Sequence, residues 1–402
     1  MYSIGIRIAA IWNKKARAWV TGRKQFPKIA LNEKVIWMHC ASLGEFEQGR
    51  PVLEAIKESY PSYKIVLSFF SPSGYEIRKN YAGADKVIYL PMDNILHARR
   101  LISAINPSLV IWVKYEYWYY YLTELKKRKI PIILVSGIFR QSQPFFKWYG
   151  DIWKKMLECF DELFVQNEYS ATLLKTIGIE NNLAVAGDTR FDRVCTIAEK
   201  KSPVNFIADF IKGKQVIVAG STWEDDEIAL IHYVKSHQDK KFIIAPHEID
   251  DINLRDVKKE FEQAILYSEL EAGKKSVDDS NVLIIDNIGM LSRLYQYADI
   301  TYVGGGFGND GIHNILEAAV YYKPVIFGPV FEKFAEAREL VEAGGAFSIN
   351  NALELEDLLN NLLNNKSLLE SSGKISGDYV YQKRGATKKI MDYVIEKRLL
   401  TN

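Results

Sequence analysis

The chain from Ala298 to Ala319 reads Ala-Asp-Ile-Thr-Tyr-Val-Gly-Gly-Gly-Phe-Gly-Asn-Asp-Gly-Ile-His-Asn-Ile-Leu-Glu-Ala-Ala. Ile300 to Val303 is a β-branched and aromatic run suited to a buried parallel strand. Gly304, Gly305, Gly306 and Gly308 then allow a sharp turn and a close approach of backbone to ligand. A helix is expected to start near Ile312 to Asn314, and its unpaired first-turn amides would favour a phosphate. The other reading is a glycine turn chosen for tight packing alone. Gly306, Gly308 and Gly311 spell Gly-x-Gly-x-x-Gly, yet the next strand, Pro324 to Phe327, ends in Gly328-Pro329 and not in the acid that holds a dinucleotide ribose. Asn314 and Glu317 are three residues apart and would share one helix face, which suits a nucleotide held from the helix side.

Working outward, the same strand, turn and helix alternation fills the chain. Val35 to His39, Lys64 to Phe69, Val87 to Leu90, Leu109 to Val113, Ile132 to Val135 and Glu162 to Gln166 read as strands with helical stretches between most of them. The pattern lapses into charge around Ala198 to Lys214, which marks a linker. It resumes at Gln215 to Ala219, Lys241 to Ala245, Ala264 to Tyr267, Val282 to Ile285, Ile300 to Val303 and Pro324 to Phe327. Repeated βα units imply an α/β protein of two Rossmann-like parallel-sheet domains facing across a cleft, with domains at 31–200 and 201–402 after a basic segment at 1–30.

A chain of 402 residues is long for one core and ample for two domains. A formal net charge of +2 offers no broad basic field for nucleic acid. Cys40, Cys159 and Cys195 are far apart and the six histidines do not cluster, so neither a disulfide framework nor a structural metal is expected. No apolar run is long enough to span a bilayer. The start is nonetheless amphipathic: Ile4, Ile6, Ile8, Ile11, Trp12 and Trp19 stand among Arg7, Lys14, Lys15, Arg17, Arg23 and Lys24. Such a segment suits an anionic membrane surface, or a surface helix docked on its domain.

In parallel sheets ligands bind beyond the carboxyl ends of the strands. The first half places Ser42, Gly44 and Glu45, then Ser71, Ser73 and Gly74, Lys114 and Glu116, and Ser136, Gly137 and Arg140 there. Glu45 can be a desolvated base in a cleft, or an acid complementing a helix dipole with Glu47 close behind. Glu116 lies among Tyr115, Tyr117, Trp118 and Tyr119, a platform for a sugar face or simply packing. The second half offers Ser221, Thr222, His247 and Glu248 but neither a P-loop nor a strand-borne Asp-x-Asp, so leaving-group charge would fall to amides, dipoles and cations such as Arg190.

Taken in order, these pieces resemble the 3-deoxy-D-manno-octulosonic acid (Kdo) transferases of lipopolysaccharide assembly. His39-Cys40-Ala41-Ser42-Leu43-Gly44-Glu45 is similar to the family's early His-x-x-Ser-x-Gly-Glu turn, and Ser71-Pro72-Ser73-Gly74 to its Thr-Pro-Thr-Gly. Glu116-Tyr117-Trp118, Gln166-Asn167-Glu168, Ser221-Thr222 and His313-Asn314 with Glu317-Ala318-Ala319 complete the likeness.

The resemblance implies a GT-B glycosyltransferase that moves Kdo from CMP-Kdo to the lipid A precursor lipid IV-A, inverting the anomeric centre without a metal or cofactor. It implies that Glu45 is the general base and that Glu116 is catalytic beside it. Ser221, Thr222, Gly289, Gly305, Gly306, Asn314 and Glu317 would hold CMP-Kdo, while Ser42, Gly44, Ser73 and Arg190 would contact acceptor or leaving group. The basic start would attach the protein peripherally to the cytoplasmic face of the bacterial inner membrane. Two departures stand out: the family's Pro-Arg-His is here Pro246-His247-Glu248, and its Lys before Phe-Asp is Arg190. A GT-B enzyme with another nucleotide sugar, or a non-catalytic nucleotide- or lipid-binding protein, are the alternatives.

Overall fold

A computed structural model describes residues 5–6 and 9–401. Of the apolar start, Ile4, Arg7 and Ile8 lie outside the described residues. The chain divides into two compact units, one running to Arg193 and taking in the segment from Arg384, the other spanning Val194–Lys383.

The first unit contains β1 (Val35–Cys40), β2 (Lys64–Phe69), β3 (Lys86–Tyr89), β4 (Pro107–Val113), β5 (Ile132–Gly137), β6 (Glu162–Val165) and β7 (Leu183–Val185). They form one parallel sheet in the order β3-β2-β1-β4-β5-β6-β7. Alternate residues of each strand face opposite ways, so Val35 and Trp37 enter one apolar core while Ile36, Met38 and Cys40 enter the other. Two buried faces explain why these strands read as continuous hydrophobic runs. The expected strands are present. β7 escaped notice because its three residues are only half buried and too short to show a pattern.

The helix Leu43–Ser59 follows β1 after a turn of two residues. Its buried side carries Glu45, Phe46, Gly49, Val52, Leu53 and Ile56. Gly49 sets its depth: a Cβ there would come within 2.8 Å of Val113 and 3.0 Å of Met38. The helix therefore lies hard against β1 and β4, and its first turn is fixed over their carboxyl ends.

The segment from Arg384 departs from the expected 201–402 domain. The amphipathic helix Ala386–Glu396 buries Ile390, Met391 and Val394 in the same core as Ile36 and Met38. Its start is tied by Asp192, whose carboxylate accepts from the amides of Gly385 at 2.6 Å and Thr387 at 2.7 Å. The charged stretch near 198–214 signals the chain leaving the first unit, but its return at Lys383-Arg384-Gly385 carries no comparable change of composition.

The second unit contains β8 (Val216–Thr222), β9 (Lys241–Pro246), β10 (Ile265–Leu266), β11 (Val282–Ile284), β12 (Ile300–Val303), β13 (Val325–Phe327) and β14 (Ala346–Ser348). This parallel sheet has the order β10-β11-β9-β8-β12-β13-β14. In each unit the order reverses beside the first strand, between β1 and β4 and between β8 and β12. Ligand crevices of open α/β sheets lie above such switch points.

The glycine turn after β12 differs from expectation. The helix begins at Leu316 and ends at Ala319, a single turn. Before it the chain doubles back: the His313 amide donates to Gly304 O at 3.1 Å and the Ile312 amide to Val330 O at 3.3 Å. Amides assigned to a helix N-terminus are thus spent within the loop, and one turn of helix brings little dipole. Gly306 lies so close to Gly328 that a Cβ would meet its backbone at 2.6 Å, so packing between two loops demands that glycine.

Candidate active site

At the end of β1, Glu45 is 8% exposed. Its carboxylate accepts a hydrogen bond from the Ala41 amide across the turn. Burial and then the neighbouring charge of Glu116 push its pKa up to about 7, against the opposing pull of the Ala41 amide and Lys114. A carboxyl group that releases its proton near neutrality and sits at a switch point is equipped to act as a base.

Glu116 follows β4, directly across the same switch point. Its carbonyl accepts from the Trp112 indole, which fixes the turn. Its carboxylate Oε2 lies 3.8 Å from His39 Nε2, and both atoms are buried without another hydrogen-bond partner among the described residues. His39 is wholly buried in β1, with Nδ1 2.8 Å from Ser68 Oγ, which also accepts from Trp37 Nε1 at 2.8 Å. Burial holds the pKa of His39 down despite the adjacent Glu116. A neutral ring 3.8 Å away, slightly beyond hydrogen-bond reach, can steady Glu116 after a small shift. The sequence signal that marks His39 is a histidine inside an otherwise apolar, fully buried strand.

The other candidates of the first unit spread along the same sheet edge. Ser42 precedes the Glu45 helix, and Gly44 has open space where a Cβ would stand. Ser73 lies one strand over, after β2, with Oγ 2.9 Å from Ser71 Oγ. Arg190 is held by Asp188, its Nε and Nη2 reaching one carboxylate oxygen at 2.9 and 2.8 Å. Lys114, after β4, adopts φ 66° and Ser136, after β5, φ 56°, so the backbone is bent at both strand ends. Tyr115 has its hydroxyl pKa raised mainly by burial, with Arg140, Glu45, Arg190 and Asp188 all exerting charge on it.

In the second unit a carboxylate that the sequence did not single out for function organises the strand ends. Asp226, 1% exposed, accepts from Tyr302 Oη at 2.7 Å, the Gly305 amide at 2.8 Å and the Trp223 amide at 2.9 Å. It ties the turns after β8 and β12 together. Gly305, a predicted phosphate contact, therefore already donates its amide to protein. Thr222, likewise predicted, is buried with its hydroxyl donating to Glu227 at 2.8 Å. Ser221 is held at φ 54° and Gly289 at φ 92°. Asn314 and Glu317 do meet, Nδ2 to Oε1 at 3.2 Å, although Asn314 precedes the helix.

An aromatic stack completes this edge. The Trp223 indole donates to His313 Nε2 at 3.0 Å, and the two rings lie within 9° of one plane. His247 stacks on both, with centroids at 4.6 Å from Trp223 and 4.3 Å from His313. Burial and then His247 push the His313 pKa down to about 4, so its ring is neutral and its Nδ1 carries the proton. His247, where the resembling family has arginine, is thus a partner in a stack and supplies no fixed cation.

Residues 16–193 match the family model of 3-deoxy-D-manno-octulosonic-acid transferase (kdotransferase). A bifunctional glycosyltransferase/methyltransferase of Fusobacterium nucleatum is 29% identical over 349 residues, 84% of this chain and 54% of that protein, so the chain spans about half its length. The 3-deoxy-D-manno-octulosonic acid transferase of Aquifex aeolicus is 29% identical over 375 residues, 90% of this chain and 97% of its own. Among solved structures, UDP-GlcNAc 2-epimerase from Neisseria meningitidis superposes with TM-score 0.62 at 15% identity over 90% of this chain and 100% of its own, a likeness of fold alone. Two switch-point parallel sheets of this kind define an α/β protein of the GT-B class. The matched segment carries Glu45, Glu116 and His39, and over most of its length the chain is similar to the Kdo transferases.

Proposed function

We propose that this protein transfers Kdo from CMP-Kdo to a lipid A precursor, lipid IV-A, with inversion and with Glu45 as general base. The observation that carries the reading is Glu45 itself, buried at the β1 end with a pKa of about 7, beside Glu116 on the other side of the switch point. In this reading the acceptor hydroxyl gives its proton to Glu45 as its oxygen bonds the anomeric carbon. The bond from that carbon to the CMP phosphate breaks, and CMP departs. Glu116, with His39 behind it, raises the basicity of Glu45 and borders the reacting centre.

Asn314, Glu317, Ser221, Thr222, Gly289, Gly305 and Gly306 remain the proposed donor contacts, with Ser42, Gly44, Ser73 and Arg190 toward acceptor or leaving group. No cofactor is assigned. Peripheral attachment to the cytoplasmic face of the inner membrane is proposed from the basic N-terminal stretch. The helix Lys14–Gly22 docks through buried Ala16 and Trp19, while Ile11 and Trp12 before it are 71% and 70% exposed. No helix among the described residues is long and apolar enough to cross a membrane.

Incubation of the purified chain with CMP-Kdo and lipid IV-A is expected to yield a heavier lipid and free CMP by mass spectrometry. Absence of both across several detergents would overturn the reading. Separately, CMP at a hundredfold excess over its Kd is expected to stabilise the fold by about 2.7 kcal/mol. A larger thermal shift with UMP or UDP would assign another donor.

A further inference from the structure

Behind the Glu45 turn, β1 and β2 carry a row of polar groups through an apolar core. His39 is paired directly with Ser68 in the parallel register, and Trp37 lies two residues back on the same face of β1. All three are 0% exposed. The Trp37 indole can only donate, so its 2.8 Å contact makes Ser68 Oγ the acceptor. The serine hydroxyl then has one proton to place. His39 Nδ1 stands at 2.8 Å and the Met38 carbonyl at 3.5 Å, the latter beyond a normal O–H···O distance. The proton therefore points at Nδ1, and Nδ1 is the bare nitrogen of the ring.

Burial, the largest influence on His39, holds its pKa down, so the ring is neutral at pH 7. A neutral imidazole with a bare Nδ1 carries its hydrogen on Nε2. Nε2 is the atom that lies 3.8 Å from Glu116 Oε2, and neither has another hydrogen-bond partner among the described residues. The opposite tautomer would set a lone pair against that carboxylate. Trp112 acts on the same residue from β4: its ring lies beside His39, centroids 4.6 Å apart, and its indole donates to the Glu116 carbonyl. Backbone and carboxylate of Glu116 are thus addressed by separate N–H groups from adjacent strands.

We propose that His39 is a positioning residue: Trp37 and Ser68 hold its hydrogen on Nε2, and that N–H closes onto the Glu116 carboxylate to keep its charge beside Glu45 during transfer. The proposal rests on the reading of Glu45 as the base. The hydrogen itself stays on His39. Glu116 and Arg23 exert their charge on His39, and Glu116 and Lys114 on Glu45. The Cys40 thiol and the Tyr115 and Tyr117 hydroxyls feel Glu45 in turn.

The first test reads the tautomer and needs no turnover. The full chain is labelled with 15N at histidine, and the His39 resonances are those that vanish in His39→Gln. Nε2 is expected to carry the hydrogen and Nδ1 to be bare at pH 7. A ring protonated on Nδ1, alone or with Nε2, overturns the proposal.

The second test reads the chemistry. His39→Asn, too short to reach Glu116, is expected to lower the plateau of kcat/KM by about ten- to a hundredfold, the worth of one hydrogen bond to a charged group. The rise of kcat/KM with pH should also move down by about one unit. The proton shared by two adjacent carboxyl groups rests more on Glu116 once that group has lost its donor, and Glu45 is then ionised at lower pH. His39→Gln, whose amide N–H can stand in for Nε2–H, should recover most of both effects. A lower plateau with an unmoved midpoint, or equal losses in the two variants, marks a purely structural histidine and overturns the proposal. An Nε2-protonated ring in a chain that transfers no Kdo supports the held tautomer and overturns the transfer reading. Transfer by a chain whose ring is protonated on Nδ1 overturns the positioning role alone.

Discussion

Glu45→Gln is expected to reduce Kdo transfer at pH 8 by about 10²- to 10⁴-fold, the range in which a positioned general base contributes. Glutamine keeps the size of the side chain and its carbonyl can still accept from the Ala41 amide, so the turn should survive. What disappears is the capacity to take a proton. CMP affinity, measured by calorimetry, should be unchanged, since Glu45 belongs to the first unit and the proposed donor contacts to the second. Near-normal turnover in this variant would remove Glu45 as base.

The pH profile of the wild type follows from the same carboxyl group. The base must be ionised, so kcat/KM should rise with pH through about 7 and level above it. Stability should run the opposite way. A folded-state pKa of about 7, raised from 4.5, means that the folded chain holds this proton where the unfolded chain has released it. The contribution of Glu45 to stability therefore declines as pH rises from about 4.5 to 7, by about 3 kcal/mol. Glu45→Gln removes that penalty, so its melting temperature should exceed wild type at pH 8 and match it at pH 4. An equal difference at both pH values would show that the carboxyl group carries no such shift.

Asp226→Ala is expected to be the most damaging single change in the second unit. It leaves the Tyr302 hydroxyl and the amides of Gly305 and Trp223 without their buried acceptor. At about 1 kcal/mol or more for each stranded donor, the loss should reach about 3 to 5 kcal/mol in urea unfolding. The turns after β8 and β12 lose their common tie, so the thermal shift on adding CMP should shrink as well. Asp226→Asn, which keeps one acceptor oxygen, should fall between the two. A loss below about 1 kcal/mol would show that solvent satisfies these donors and that the tie is dispensable.

Much of the fold was legible because a parallel strand buried on both faces is a dense apolar run, as Ile132 to Val135 and Ile300 to Val303 show. Strands of three half-buried residues, such as Leu183–Val185, have no such signature. Site positions followed from the strands, since residues after a parallel strand gather at one edge. The placement of Glu45 and Glu116 beyond β1 and β4 is legible in this way. The state of Glu45 was not legible, because burial and the nearness of Glu116 are properties of the folded chain. Asp226 has no sequence signal of its own, because its partners Tyr302, Gly305 and Trp223 meet it only in the folded chain. The duties of the opening glycines were not legible either, for Gly306 serves its contact with Gly328 and Gly305 gives its amide to Asp226.

The return of Arg384 onward to the first unit makes the second unit an insertion within the first. During synthesis, Val194–Lys383 can leave the ribosome complete while one sheet face of the first unit still lacks Ile390, Met391 and Val394. The half that appears first is thus the half that must wait to be finished, and the side of its core around Ile36 and Met38 is where a chaperone would find exposed apolar surface.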